Sequence, residues 1–557
     1  MLRRAWKPII GTTVLVGGPG YLYYRYSSES TTRESFGLPV RVKGPNGKST
    51  REMRTLPLLS KDEVEARLKE HERLVVTPRP NGIVWKQATT YLASNDPIED
   101  ANASKIIQRD PTDPSVGDLL FYTVLDGHAG PHTSQLLSHV LLPAVALELS
   151  TLIDNPKRIV PKASFLQDLR SFVRPTTATP VAFDADPKYM SHAIQTAFLN
   201  LDSEIVNAPI RLLAEELSKM GATLKSVGLD NLPDLSKHPM AVATMQPALS
   251  GACALLALFD TAHRNLYVAL TGDCRAVAGV WEATDDGKGK WRVDVLTEDQ
   301  TGRNPNELRR IRSEHPPDEA DTVIMRGRVM GGLEPTRAFG DANYKWSREV
   351  HAILKKVFLD GSGITPRSTP AHSKTPPYVT PIPVVTHRKL DFIPDQSEST
   401  ANGSIPSNSK SSMRFLVIAT DGLWDELSSE EVVALVGGHL AGLKGNIPKS
   451  ELPSIVPTIT GSTVEGKNIR REEANEGAWA FVDDNVSTHL IRNAFGGADE
   501  VKLRKKLSIP APYSRSYRDD VTCTVVYWEV GQESEAKQVT GSKSFSSDNK
   551  HDVKAKL

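Results

Sequence analysis

Four apolar, strand-like runs in this chain meet an aspartate at one end. LLFYTVL leads into Asp126, LYVALTG into Asp273 and FLVIAT into Asp421, while Asp519 and Asp520 precede VTCTVVYW. Runs this rich in β-branched and aromatic residues read as buried strands, and GACALLALFD adds another. A buried strand fixes where its end lies, so a side chain at that end is well placed. Each aspartate alone is explained as well by a turn or a helix cap. Ser428 and Glu431, for instance, have capping-box spacing just after Asp425. As a set they predict carboxylates converging on one spot. Such carboxylates repel, and burial raises the cost. Hard divalent cations, Mg2+ or Mn2+, relieve that repulsion because they prefer oxygen ligands. No His/Cys cluster with zinc spacing accompanies the aspartates.

Between the strand-like runs lie helix-like segments such as SQLLSHVLLPAVALEL and SHAIQTAFLNLDSEI. They show no regular strand–helix alternation, which predicts an α+β fold with antiparallel layering. Length allows one large domain with insertions, and 557 residues are read here as one such domain over 81–530. Lys+Arg and Asp+Glu both number 67, a balance that argues against a nucleic-acid partner. Cys253, Cys274 and Cys523 sit in apolar runs without metal-ligand spacing and read as reduced, buried thiols. The first 28 residues carry Arg3, Arg4, Lys7 and Arg25 with no acid, as a mitochondrial leader does. Its uncharged stretch is flanked by Trp6 and Tyr21, Tyr23 and Tyr24, so a retained inner-membrane anchor stands beside a cleaved presequence. Residues 29–80 read as a linker with one lead-in helix, KDEVEARLKEHERL. Residues 391–413 read as a disordered insertion and 531–557 as a disordered tail.

The motifs VLDGHAG, SGACALLAL, LTGDCRAV, GLEPTRAFGD, IATDGLWDEL and YRDDVTCTVVYW occur in one order over about residues 80–530. Together they resemble the metal-dependent serine/threonine phosphatases of type 2C. SNDPIED, TEDQTGRNPNELRRIRSEHP, TPPYVTPIPVV and HLIRNAFGG resemble the pyruvate dehydrogenase phosphatase branch of that family. The resemblance implies a two-sheet antiparallel β-sandwich flanked by helices. It implies two Mg2+ or Mn2+ ions that activate a water for attack on phosphoserine or phosphothreonine. Asp126 matches the bridging carboxylate and Gly127 contributes its carbonyl. Asp421 and Asp519 match the remaining ligands of the pair. Glu99 and Asp100 match an acidic pair that holds metal-bound waters. Asp273 and Asp425, with Asp421, match a third, weaker metal position. His128 matches the candidate general acid, whose plain alternative is a histidine at a helix start. His132, one turn on, reads as a surface or supporting residue.

One position departs from the family pattern. The arginine that grips the phosphate lies four residues before the glutamate of the acidic pair, and here that position is Asn95. An amide cannot replace a guanidinium fork, so the phosphate-binding group is left open. Lys105 and Arg109 are nearby cations whose simpler reading is solvated surface charge. RGRVMGGLEPTRAFGDANYKW resembles the flap beside the active site, with Gly327, Gly331 and Gly332 in it. The resemblance implies a mitochondrial enzyme of the matrix or intermembrane space acting on the pyruvate dehydrogenase complex. The alternatives are a type 2C phosphatase for other mitochondrial phosphoproteins, a pseudophosphatase binding module, and another phosphohydrolase class.

Overall fold

A computed structural model describes residues 33–530 except 44–48, 81, 111, 155–182, 229–230, 285–288, 361–368, 394–410 and 462–475. The two termini beyond that range, with the expected leader and tail, lie outside the described residues. Two sheets face each other. One has seven strands, in spatial order Thr458–Thr460, Gly289–Val295, Arg275–Ala283, Ser411–Ala419, Val521–Val530, Ile83–Leu92 and Arg73–Pro78. The other runs Val384–Lys389, Asn265–Thr271, Gly251–Asp260, Asp118–His128 and Ala101–Gln108, with the short Phe339–Gly340 paired to Gly251–Asp260. All neighbours pair antiparallel except Gly289–Val295 with Thr458–Thr460.

The strand period explains why the inner strands read as unbroken apolar runs. Along Asp118–His128, Leu120, Tyr122 and Val124 enter the core between the sheets, while Leu119, Phe121 and Leu125 face the helices outside. Leu255, Ala257 and Phe259 alternate with Ala254, Leu256 and Leu258 in the same way. A strand buried on both faces has no polar side to show. Helices His132–Asp154 and Pro187–Lys219 cover the six-stranded sheet. Ser429–Leu440, Val486–Phe495 and Lys61–Lys69 cover the seven-stranded one. The expected helix–sheet–sheet–helix sandwich is therefore the observed architecture. The three cysteines are free and buried. No helix among the described residues is long and apolar enough to cross a membrane.

Two boundaries differ from the sequence reading. Residues 29–80 are not a plain linker. They hold an antiparallel hairpin, Ser35–Lys43 with Ser49–Pro57, then helix Lys61–Lys69, then the edge strand Arg73–Pro78. The expected lead-in helix is present, with Ser60 and Glu63 closing a capping box. The hairpin escaped notice because it buries only Leu38 and Val40 among polar residues, and the edge strand because it is short and half-exposed, with Leu74 and Val76 open to solvent. At the far insertion, Phe392 and Ile393 are buried between the sheets, and Ser411–Met413 already belong to a strand. Only the interval 394–410 of that expected disordered insertion lies outside the described residues.

Candidate metal centre

The strands that read as buried deliver their aspartates to one end of the sandwich. Asp126 lies near the end of its strand, in register with Cys253. Asp273 sits in the tight connection after Asn265–Thr271, and Asp421 opens a one-turn helix after Ser411–Ala419. Carboxylate oxygens of Asp126, Asp273 and Asp421 lie within 4.8 Å of one another. Asp273, expected only at an accessory position, is thus inside the tightest group. It also accepts from the Cys253 thiol at 3.2 Å. Asp425 is exposed and outside that trio, and its N–H donates to the Asp421 carbonyl at 2.7 Å.

The electrostatics match crowded carboxylates. Burial, then Asp421, Asp100 and Asp273, hold the Asp126 pKa well above the usual carboxylate range. Burial and Asp520 do the same for Asp100, although it accepts from Thr420 Oγ1 at 2.8 Å. Asp519 is pushed up to about 7 by burial and Asp421, with Arg515 opposing. An all-oxygen set whose members cannot all ionise unaided fits hard divalent cations.

Glu99, Asn95 and Asp520 bond to one another and to nearby backbone around the rim. Glu99 Oε1 accepts from the Gly130 N–H at 2.6 Å, and Oε2 accepts from Asn95 Nδ2 at 3.1 Å. A Cβ on Gly127 would stand 2.1 Å from the Glu99 carbonyl oxygen, so this strand end approaches the Glu99 loop as only glycine allows. Asp520, buried behind the site, accepts N–H groups of Ser94 at 2.5 Å, Asn95 at 2.8 Å and Glu99 at 2.9 Å. Its Oδ2 also accepts from Asn95 Nδ2 at 2.9 Å. Asn95 is therefore a brace between Glu99 and Asp520.

His128 Nε2 lies 2.6 Å from Asp341 Oδ2. Burial weighs most on this imidazole and disfavours its charge, yet Asp341 outweighs it and raises the pKa. Asp341 is held with φ 49°, its N–H donating to the Ser250 carbonyl at 2.9 Å. Gly251 leaves room for the pair: a Cβ there would meet His128 Nε2 at 2.1 Å. His132 is half-buried at the start of its helix, where burial lowers its pKa. The flap contains the ribbon Ile324–Met325 with Arg328–Val329, turned at Gly327 with φ 73°.

The suggested phosphate cations do not reach the site. Arg109 is bound to Asp260 at 2.7 Å and Asp184 at 2.6 Å. Asp260 pairs with Leu119, seven residues before Asp126, which is roughly 23 Å along a strand. Lys105 is exposed opposite Phe121. Arg515 is the cation that sequence reasoning missed. Its Nη1 donates to Asp519 Oδ1 at 2.6 Å and lies 3.6 Å from Glu99 Oε2. Burial opposes its charge, but Asp519, Glu99 and Asp126 together raise its pKa. Asp341 was also missed, although it lies within a motif already noted, TRAFGD, whereas Asp520 was named at its strand end without a separate role. Arg515 has no such signal.

The chain has relatives among known proteins. Residues 210–397 match the family model described as protein phosphatase 2C. A protein phosphatase 2C homolog of Schizosaccharomyces pombe is 34% identical over 481 residues, covering 85% of this chain and 86% of the relative. The mitochondrial [pyruvate dehydrogenase [acetyl-transferring]]-phosphatase 1 of Saccharomyces cerevisiae is 32% identical, covering 88% of this chain and 78% of the relative. The human mitochondrial phosphatase 2 of the same name is 31% identical, covering 82% and 80%.

Proposed function

The chain belongs to the protein phosphatase 2C family of metal-dependent serine/threonine phosphatases, and from that premise we propose that it removes phosphate from phosphoserine of the pyruvate dehydrogenase complex in mitochondria. One observation carries the chemistry: Asp126, Asp273 and Asp421 meet within 4.8 Å at the ends of rigid strands. The target rests on the relatives of that name, which match this chain over most of its length.

In this reading Asp126, the Gly127 carbonyl, Asp421 and Asp519 would hold the cation pair, Glu99 and Asp100 would orient water beside it, and Asp273 and Asp425 would join Asp421 at a third position. Bound there, Mg2+ or Mn2+ supplies an activated water and neutralises phosphoryl charge. The departing seryl oxygen needs a proton, and His128 holds one beside Asp341, within the same cleft. Asp341 favours the protonated imidazole and fixes its orientation by contact with Nε2, so it acts through His128. Of the two fates expected for the leader, this target requires the one that leaves the catalytic domain in the matrix.

The test uses the purified chain with a phosphoserine peptide and with phosphorylated pyruvate dehydrogenase complex. Phosphate release requires Mg2+ or Mn2+, stops with chelator, and falls by roughly a thousandfold or more in Asp126→Asn, a loss of about 4 kcal/mol of transition-state stabilisation. Undiminished release without metal would contradict the chemistry. Equal rates on the complex and on unrelated phosphoproteins would remove the target while leaving the chemistry standing.

A further inference from the structure

A phosphoryl dianion must enter a cleft already lined by carboxylates, so some side chain has to favour it. Asn95 cannot, because its amide is committed to Glu99 and Asp520. Other arginines near the site are also committed. Arg275 is buried and grips Asp299 with Nε at 3.0 Å and Nη2 at 2.7 Å. Arg518 donates to backbone carbonyls of Ala93 and Lys506, and its remaining nitrogen, Nη2, is buried without solvent access.

We infer that Arg515 grips the phosphoryl oxygens of the substrate, taking over from a different loop the contact that Asn95 cannot make. The inference rests on the phosphatase reading of the centre. Three observations carry it. Arg515 stands beside Glu99 Oε2, the same oxygen that Asn95 touches, and so reaches the same rim of the cleft. Its side chain is 44% exposed, unlike the buried arginines around it. Its hydrogen bond and both ion-pair contacts run through Nη1, so among the described residues the Nε–Nη2 edge has no hydrogen-bond acceptor. That edge is the pair of parallel donors that binds phosphate bidentately.

The support beneath Arg515 suits a fixed gripping group. It lies in a single turn, Ser514–Ser516, whose Ser514 is buried and donates through Oγ to the Ser94 carbonyl. The N-terminal hairpin braces the same turn from outside. Leu38 and Val40 pack with Ile509, and Phe36, Tyr513 and Tyr517 lie against them. Tyr517 Oη donates to the Pro39 carbonyl at 2.6 Å, and Arg54 covers the Tyr513 ring at 5.2 Å. Residues that read as linker thus position a turn at the catalytic rim.

The experiment compares wild type, Arg515→Ala and Arg515→Lys in the full chain. Three quantities are measured: steady-state hydrolysis of a small aryl phosphate, calorimetric binding of inorganic phosphate to the Mn2+-loaded chain, and Mn2+ binding alone. Arg515→Ala is expected to weaken phosphate binding and raise KM by roughly tenfold or more, the size of one charge-assisted contact. Mn2+ binding should stay equal or tighten, since a cation beside the carboxylates is gone. Lysine should recover only part of the loss, because an ammonium makes a point contact. Unchanged phosphate binding in Arg515→Ala overturns the inference. So does weaker Mn2+ binding with unchanged phosphate affinity at saturating Mn2+, which would make Arg515 only a support for Asp519. Phosphate binding is read without turnover, so an inactive wild type would count against the phosphatase reading and leave this comparison intact.

Discussion

Asp341 shows how one carboxylate, remote in sequence, sets what a catalytic histidine can do. Its separation from His128 is 213 positions, yet the two side chains meet at 2.6 Å. Asp341→Asn keeps the shape and removes the charge, so burial is then opposed only by Asp273 and Glu99 and the imidazole pKa falls. A neutral imidazole is a far weaker acid than the imidazolium, so less of His128 can protonate the leaving oxygen. Turnover of a phosphoserine peptide should fall by roughly 10²–10⁴-fold, the usual contribution of a general acid. An aryl phosphate, whose phenolate leaves without help, should fall far less. Equal losses on the two substrates would show that the pair does not donate to the leaving group. At this scale, legibility followed local pattern. Asp126 and Asp421 announced themselves because each closes an apolar run. Asp341 did not, because it lies in a loop at φ 49° and its role depends on a contact across the fold.

Elements hold the centre together through a contact that no metal ligand makes. Arg275, just after Asp273, binds Asp299 through both edges of its carboxylate and lies 5.0 Å from the ring of Trp424. Trp424, expected to pack and hold its turn, is buried and donates from Nε1 to the Ala419 carbonyl at 3.0 Å. The two loops that carry Asp273 and Asp421 are thereby clamped to each other. Arg275→Ala removes one partner of this buried ion pair, a change that costs about 3–5 kcal/mol. Urea unfolding should show that loss as a lower midpoint, with Mn2+ affinity reduced because Asp273 is released. Arg275→Met combined with Asp299→Leu should recover most of the stability, since a buried pair replaced by apolar groups is often near neutral. Strand legibility has a similar physical basis. Strands buried on both faces could be read from composition alone. Arg73–Pro78 could not, since Leu74 and Val76 are 52% and 50% exposed at the sheet edge. The clamp itself was invisible, because a buried Arg–Asp pair leaves no pattern along the chain.

For the whole molecule, folding and metal binding draw on the same carboxylates. The sandwich brings Asp126, Asp273 and Asp421 together, so the folded chain meets their repulsion either with protons or with metal. The folded-state pKa values of Asp126 and Asp100 lie well above the ordinary value, and that of Asp519 rises from 3.8 to about 7. Between those limits the folded state therefore binds more protons than the unfolded chain. Stability of the metal-free protein then falls as pH rises through that window, since the slope follows the difference in bound protons. Metal has the opposite dependence. At pH 5.5 it must displace protons, whereas at pH 7.5 it meets carboxylates already ionised and unrelieved. The melting temperature of the metal-free chain should accordingly be higher at pH 5.5 than at 7.5 as far as this cluster governs it. Saturating Mn2+ should raise the melting temperature much more at pH 7.5 than at 5.5. Asp126→Asn removes one repelling charge, so it should flatten the metal-free pH dependence and shrink the Mn2+ shift together. A Mn2+ shift that is equal at both pH values would mean that protons and cations do not share these residues. The carboxylates would then be structural groups whose ionisation is settled elsewhere in the fold.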